Sequence, residues 1–278
     1  MYLVDAQVHI WAADTPERPW PVKNPPHRPH HGWPAFSKDD LLREMDAAGV
    51  HRVVIVPPGW EGERNDVALQ AAREHPDRFA VMGRLNLNAP GARNQIAIWR
   101  QQPGMLGLRL TFTRQGTATE EWLWAETEAA GVPIMLAIPP SELHLAGEVA
   151  RRHPDLKLTI DHLGVPTRTK DAAAFAHLDQ LLFLAKQPNI AVKASALPHF
   201  ITDTYPYRLL YPYIRRVYDA FGSRRMFWGT DFTSPHMPCT YRQAVIMFTE
   251  EIPWLTAEDK QWIMGRGLCQ WIGWPLPG

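Results

Sequence analysis

Tyr2-Leu3-Val4-Asp5-Ala6-Gln7-Val8-His9-Ile10-Trp11 decides how the rest of the chain is read. Leu3, Val4, Val8 and Ile10 make it an apolar strand, with Asp5, Gln7 and His9 set among them. Side chains alternate across a strand, so the three polar residues are expected on one face. Burying polar groups is costly unless they are paired or serve a site. A lone buried histidine usually just finds a partner. Here a carboxamide lies two residues before the imidazole, at the C-terminal end of the strand, and that turns the reading towards a site.

Working outward, Ala12 to Ser37 is rich in Pro, His and Trp and cannot be a regular helix. A loop of this length inside a domain is commonly functional, and its aromatic content argues for packing over something. Ser37, Asp39 and Asp40 then signal a helix start, the amphipathic run reaches Ala48, and Gly49 stops it. Val53-Val54-Ile55-Val56 reads as a strand buried on both faces, broken by Pro57-Pro58-Gly59-Trp60.

The unit repeats. Helices are expected over 65–74, 92–101, 119–130, 141–152, 171–186, 207–221, 241–250 and 257–264, and strands over 79–85, 105–110, 133–138, 156–160, 190–193 and 226–228. Eight strands alternating with helices imply an α/β fold with a parallel sheet. At 278 residues the expected architecture is a (β/α)₈ TIM barrel occupying 1–278 as one domain. An open doubly wound sheet is the competing fold; it usually has a Gly-rich phosphate turn after its first strand, which this chain lacks.

A barrel gathers its site at the C-terminal ends of its strands. Strand 1 offers Gln7 and His9, strand 2 ends at Trp60, strand 3 offers Arg84 and Asn86, and strand 4 offers Arg109. Strand 6 ends in Asp161-His162, strand 7 offers Lys193 and Ser195 with His199 beyond, and strand 8 ends in Gly229-Thr230-Asp231, with His236 further on. Arg84 and Arg109 suit a substrate carboxylate in forked geometry, or alternatively ion pairs inside the barrel. Trp11, Trp33 and Trp60 suit the walls of a flat or ring-shaped substrate, or packing at the rim. Trp262, Trp271 and Trp274 read as packing that closes the barrel.

Composition bounds the partners. Lys plus Arg and Asp plus Glu are both 29, so nothing favours nucleic acid or an anionic membrane. No apolar run suits a bilayer, and no n-region and h-region mark a signal peptide. Cys239 and Cys269 form neither a metal spacing nor a disulfide framework, and the expected setting is a reducing cytoplasm. The expected partner is a small molecule, carboxylate-bearing or ring-shaped; the oligomeric state is left open.

Asp5-Ala6-Gln7-Val8-His9-Ile10-Trp11, Gly107-Leu108-Arg109, Ile160-Asp161-His162-Leu163-Gly164 and Gly229-Thr230-Asp231-Phe232 together resemble the amidohydrolase-2 branch of the amidohydrolase superfamily. That branch contains 2-pyrone-4,6-dicarboxylate lactonase and sugar lactonases. The resemblance implies Asp231 as general base on water, with His162 and His9 polarising a carbonyl and Gln7 as an amide donor. The substrate would be a lactone or other activated cyclic ester, bound with help from Arg84, Arg109, Trp11, Trp60 and His199. The chain departs from the family at Gln7, where the first His of an H-x-H pair stands, and at the fifth strand, which lacks a His. A mononuclear zinc site wants three protein ligands, so no metal is favoured. The alternative keeps Zn²⁺ or Mn²⁺ on His9 and Asp231, for amide hydrolysis or decarboxylation of an aromatic acid. A degenerate, non-catalytic barrel is the third reading.

Overall fold

The computed structural model describes residues 1–22, 33–112, 120–166, 168–232 and 238–276. Eight parallel strands follow one another in sequence order: β1 (Val4–Val8), β2 (Arg52–Ile55), β3 (Phe79–Gly83), β4 (Met105–Thr111), β5 (Ile134–Ala137), β6 (Leu158–Ile160), β7 (Ile190–Ser195) and β8 (Met226–Gly229). The seam is drawn together between the last residues of β1 and those just past the end of β8. Asp231 N–H donates to the Gln7 carbonyl at 2.9 Å, and Val8 and Phe232 form a parallel bridge. This is the (β/α)₈ barrel expected from the alternation.

Helices on the outside carry local signals of their own. In α1 (Lys38–Ala48) the Ser37 hydroxyl accepts from Asp40 N–H while the Asp40 carboxylate accepts from Ser37 N–H, and Gly49 ends the helix at φ 77°. Next come α2 (Asp66–Glu74), α3 (Ala92–Ala97), α4 (Glu121–Ala129) and α5 (Leu143–Arg152). The single helix expected over 171–186 is two, α6 (Asp171–Ala174) and α7 (Leu178–Phe183). Between them the His177 ring donates to the Leu163 carbonyl at 2.9 Å, and Phe175 stacks on Tyr213, so tertiary contacts override the helical pattern. Then follow α8 (Tyr211–Phe221), α9 (Tyr241–Ile246) and α10 (Ala257–Gln261).

A last helix, α11 (Gly267–Ile272), lies outside the helical segments expected from the pattern. It and the residues after it cover the N-terminal end of the barrel. Trp274 packs over the Arg52 guanidinium at 4.7 Å, and Arg100 donates to the Ile272 carbonyl. Of the three tryptophans expected to close the barrel, Trp274 packs across the end away from the mouth, Trp271 stands against Phe227 of β8, and Trp262 packs against the Arg224 and Arg266 guanidiniums. The interior is a small apolar set, Val4, Ala6, Val54, Val56, Ala80, Met82, Met135, Ala191 and Phe227, continuous with Leu268 and Ile272 of α11. The larger cluster fills the layer between strands and helices.

One expectation about β1 is corrected. Asp5 pairs with Val53 but Val8 with Ile55, so β1 holds one residue more than β2 between the two pairs. Such a bulge shifts the alternation. Asp5 consequently faces the helical layer, where Tyr241 of α9 reaches it, while Gln7 faces the interior and His9 the mouth. The three polar residues do not share a face. Among the described residues no helix is long and apolar enough to cross a membrane, and both cysteines are free thiols.

Candidate active site

The mouth is built by strand ends and by two strained turns. His162 follows β6 at φ 51° and Asp231 follows β8 at φ 57°. Left-handed backbone at residues other than glycine costs energy and tends to gather at functional sites. Both turns swing a side chain towards the barrel axis just past the last strand residue.

Asp231 is the hub. Its Oδ1 accepts from the Gln7 carboxamide at 2.7 Å, lies 3.0 Å from His9 Nε2, and is 4.0 Å from His162 Nε2. Among the described residues its Oδ2 makes no hydrogen bond to protein. Burial pushes the Asp231 carboxyl up, but His162 and the hydrogen bond from His9, with a smaller contribution from His199, outweigh it and hold the group well below the usual carboxylate range.

Each histidine is held through its far nitrogen. His9 Nδ1 donates to the Val56 carbonyl at 2.6 Å, at the end of β2. A carboxylate only accepts, so the His9–Asp231 contact is a hydrogen bond when Nε2 also carries a proton. His162 Nδ1 lies 2.8 Å from the Ser195 hydroxyl, and its Nε2 lies 3.2 Å from the Gln7 amide nitrogen. Burial lowers the His162 pKa, against the pull of Asp231 and Asp161. A neutral ring with its proton on Nδ1 satisfies both neighbours. His162, expected to polarise a carbonyl, thus has both ring nitrogens engaged.

Beneath this cluster lies a buried ion pair. Lys193, fully buried on β7, is 2.7 Å from Asp161 Oδ1 and also donates to Gln7 Oε1. Burial lowers its pKa and the Asp161 carboxylate opposes that; the charge of Lys193, more than that of Arg109, keeps Asp161 low despite its own burial. The orientation of Gln7 follows: an ammonium needs the carbonyl oxygen, which leaves the NH₂ for Asp231 and His162.

Arg109 Nε bonds Asp161 Oδ2 at 3.3 Å, and Arg84 Nε donates to the Pro57 carbonyl at 2.6 Å. Among the described residues neither guanidinium uses its terminal nitrogens in a hydrogen bond. Burial, then repulsion from Arg109, brings Arg84 down to about 10. Asn65, a residue the sequence did not flag, fixes Arg84 by bonding its backbone N–H and carbonyl, each at 2.8 Å. Arg109 and Lys193 thus share Asp161.

The aromatic residues are placed differently from one another. Trp11 and Trp60 are 1% and 4% exposed and pack edge to face, centroids 5.4 Å apart. Trp33, 38% exposed, stacks on Phe36. His199 is half-buried in the turn after β7. Residues 23–32 of the long loop, and His236, lie outside the described residues.

On the outer side of the seam, Asp5 ties the site together. Its Oδ1 accepts from Gln7 N–H at 3.0 Å and Thr230 N–H at 2.9 Å, and its Oδ2 accepts from the Thr230 and Tyr241 hydroxyls. Burial nonetheless raises its pKa to about 6. Gly229 leaves the room this needs: a Cβ there would sit 3.2 Å from Asp5 Oδ1 and 3.1 Å from the Ser195 Cβ.

A polar cluster fed by β1, β6, β7 and β8 at the C-terminal mouth is an enzyme layout for this class of barrel. The chain belongs to the amidohydrolase family, whose sequence profile matches residues 4–266. It is 28% identical over 242 residues to an L-fucono-1,5-lactonase of Burkholderia ambifaria, covering 83% of this chain and 80% of that protein. In fold it is similar to a probable 2-pyrone-4,6-dicarboxylic acid hydrolase of Acinetobacter baumannii crystallised with citric acid (TM-score 0.80, 17% identity, 99% of this chain and 100% of that one). It is equally similar to an amidohydrolase of Burkholderia multivorans with bound zinc (TM-score 0.80, 20% identity, 99% and 100%).

Proposed function

We propose that the protein hydrolyses a lactone bearing a carboxylate, with Asp231 as general base. The observation that carries this is the split role of the Asp231 carboxylate. Oδ1 is held by Gln7 and His9, while Oδ2 has no hydrogen bond among the described residues. An oriented, ionised carboxylate with one oxygen available takes a proton from water as the water oxygen attacks the carbonyl carbon. The ring C–O bond then breaks, and the departing alkoxide takes a proton from the Asp231–His9 pair, giving a hydroxy acid.

A carboxyl held so low is a weak base, and this favours an activated ester over an amide. His9 and His162, whose Nε2 atoms lie 3.0 Å and 4.0 Å from Asp231 Oδ1, are the imidazoles beside the base that would meet the developing oxyanion, and His162 also aligns Gln7. The terminal nitrogens of Arg84 and Arg109 suit a carboxylate on the substrate, bound as a fork. Lactone chemistry is supported by the name of the Burkholderia ambifaria relative, and an anionic substrate by the citric acid bound in the Acinetobacter baumannii structure.

The zinc of the Burkholderia multivorans structure raises the metal-dependent alternative. The donor set here does not suit it. The Gln7 NH₂ points its protons at Asp231 Oδ1 and His162 Nε2, the lone pairs a cation would need, and Lys193 blocks the amide flip. Among the described residues no group of three or more His, Cys, Asp or Glu side chains is arranged to hold a metal.

The test is Asp231→Asn assayed on sugar 1,5-lactones and on pyrone or other lactone carboxylates. Loss of about 10²–10⁴-fold in kcat with an unchanged melting temperature is expected. Retained turnover would remove Asp231 from the role of base.

A further inference from the structure

Lys193 is a fully buried cation that the hydrolytic steps above do not use, and Gln7 is the residue it holds. Four atoms meet at the floor of the mouth: Gln7 Nε2, Asp231 Oδ1, His162 Nε2 and His9 Nε2. Their separations are 2.7 Å (Gln7–Asp231), 3.0 Å (His9–Asp231), 3.2 Å (Gln7–His162) and 4.0 Å (His162–Asp231). Two ligands each about 2.1 Å from one zinc ion are about 3.0 Å apart at a right angle and about 3.4 Å apart at the tetrahedral angle. The 3.0 Å and 3.2 Å separations match such a shell, 2.7 Å is shorter and 4.0 Å longer, so the atoms converge on one point without forming a regular shell. One of them, however, is an amide nitrogen whose two protons are directed at its neighbours.

We infer that the Gln7 carboxamide, oriented by Lys193, takes the place of a divalent cation in this site. It deepens the metal-free reading above and rests on it. The amide protons hold Asp231 Oδ1 and His162 Nε2 together, as a bound cation would. The ammonium withdraws electron density through Gln7 Oε1, which makes the NH₂ a stronger donor. Reversing the amide would set NH₂ against NH₃⁺ and a carbonyl oxygen against a carboxylate, so the orientation has one stable form. Lys193 is thus a positioning residue. It acts through Gln7, and Asp161 at 2.7 Å holds it in place.

Gln7→Glu tests this with the smallest change, because it keeps the shape of the side chain and turns the donor nitrogen into an acceptor oxygen. Oxygens and imidazoles then converge on one point with no proton between them, and the Asp231–His162 gap of 4.0 Å closes on a cation. Wild-type protein and variant are incubated with ZnCl₂, passed through gel filtration and analysed for metal. The wild type should retain less than a tenth of an equivalent and Gln7→Glu about one. Adding Asp231→Asn to Gln7→Glu should return retention to the wild-type level. If Gln7→Glu does not fold, Gln7→His supplies a neutral ligand and carries the same expectation. A wild type that retains one equivalent, or a folded variant that retains none, overturns the inference.

The part played by Lys193 is read from the histidine ring ¹⁵N spectrum. His162 should carry its proton on Nδ1 in the wild type and become a mixture of tautomers in Lys193→Met. A wild type protonated on Nε2, or a spectrum that Lys193→Met leaves unmoved, overturns it. If Lys193→Met does not fold, the wild-type spectrum decides alone. None of these readouts needs a substrate. Lactones that fail to turn over would sink the proposed reaction and leave the metal and tautomer results intact. One equivalent of zinc in the wild type, with Asp231 still required, would do the opposite.

Discussion

Replacing Asp5 separates a charge effect from a hydrogen-bond effect at the barrel seam. The Asp5 carboxyl shifts from an ordinary 3.8 to about 6 on folding because burial outweighs its four donors. A carboxyl whose folded pKa is raised binds its proton more tightly in the native state. Its contribution to stability is therefore full below pH ~4 and is lost as pH rises through 6, about 3 kcal/mol in all. Asp5→Asn removes that dependence. It also suits the site: an amide oxygen at Oδ1 still accepts from the Gln7 and Thr230 N–H groups, and an NH₂ at Oδ2 meets two hydroxyls that rotate to accept. Asp5→Ala also removes the charge, but it leaves two buried backbone N–H groups without an acceptor, at about 1–3 kcal/mol each. Urea unfolding at pH 4, 5, 6 and 7 measures all three proteins. Between pH 4 and 7 the stability of Asp5→Asn relative to wild type should rise by about 3 kcal/mol. Asp5→Ala should lie about 2–6 kcal/mol below Asp5→Asn throughout. A wild type to Asp5→Asn difference that does not vary with pH would refute the raised pKa, and equal stability of the two variants would refute the seam.

Three further outcomes are expected. Arg109→Met should raise KM for lactones carrying a carboxylate by about tenfold or more and leave neutral lactones within twofold, as steady-state kinetics on matched substrates would show; equal effects on both would remove the anion fork. The acid limb of kcat should lie below pH 6.5, because burial lowers the His162 pKa and protonation there ends its acceptance from Gln7; Asp231, held far lower, adds no limb between pH 4 and 8, and a limb that survives His162→Asn would refute the assignment. Arg52→Ala should cost about 1–3 kcal/mol in urea unfolding, since Arg52 packs on Trp274 and donates to the Asp77 carbonyl across the closed end; a change under 0.5 kcal/mol would show that α11 is held by other contacts.

The alternation of apolar runs with amphipathic stretches was legible because parallel barrel strands are buried on both faces and their helices on one. What escaped was set by tertiary contact. Nothing in the pattern of 171–186 shows that His177 will reach the Leu163 carbonyl and divide a helix. Nothing in Tyr2 to Trp11 shows a bulge, since an extra residue in one strand is defined only against its partner. Alternation alone put Asp5 beside Gln7 and His9, and the bulge sends it to Tyr241 instead.

The site divides along the same line. Gln7, His9, His162, Arg84, Arg109 and Asp231 were marked by being polar at strand ends, a one-dimensional signal that the barrel converts into a place. Their tasks were not marked, because a task depends on which atom meets which. Residue types suggest two histidines aimed at a carbonyl; the distances add what each ring meets in the structure, an amide and a hydroxyl for His162 and the Val56 carbonyl and Asp231 for His9. Gln7 is the clearest case. Read alone, it is the loss of a ligand. Read with Lys193 beneath it and Asp231 above, it becomes a donor with a fixed direction, and on the inference drawn above the same substitution changes from a defect in a metal site into a replacement for the metal.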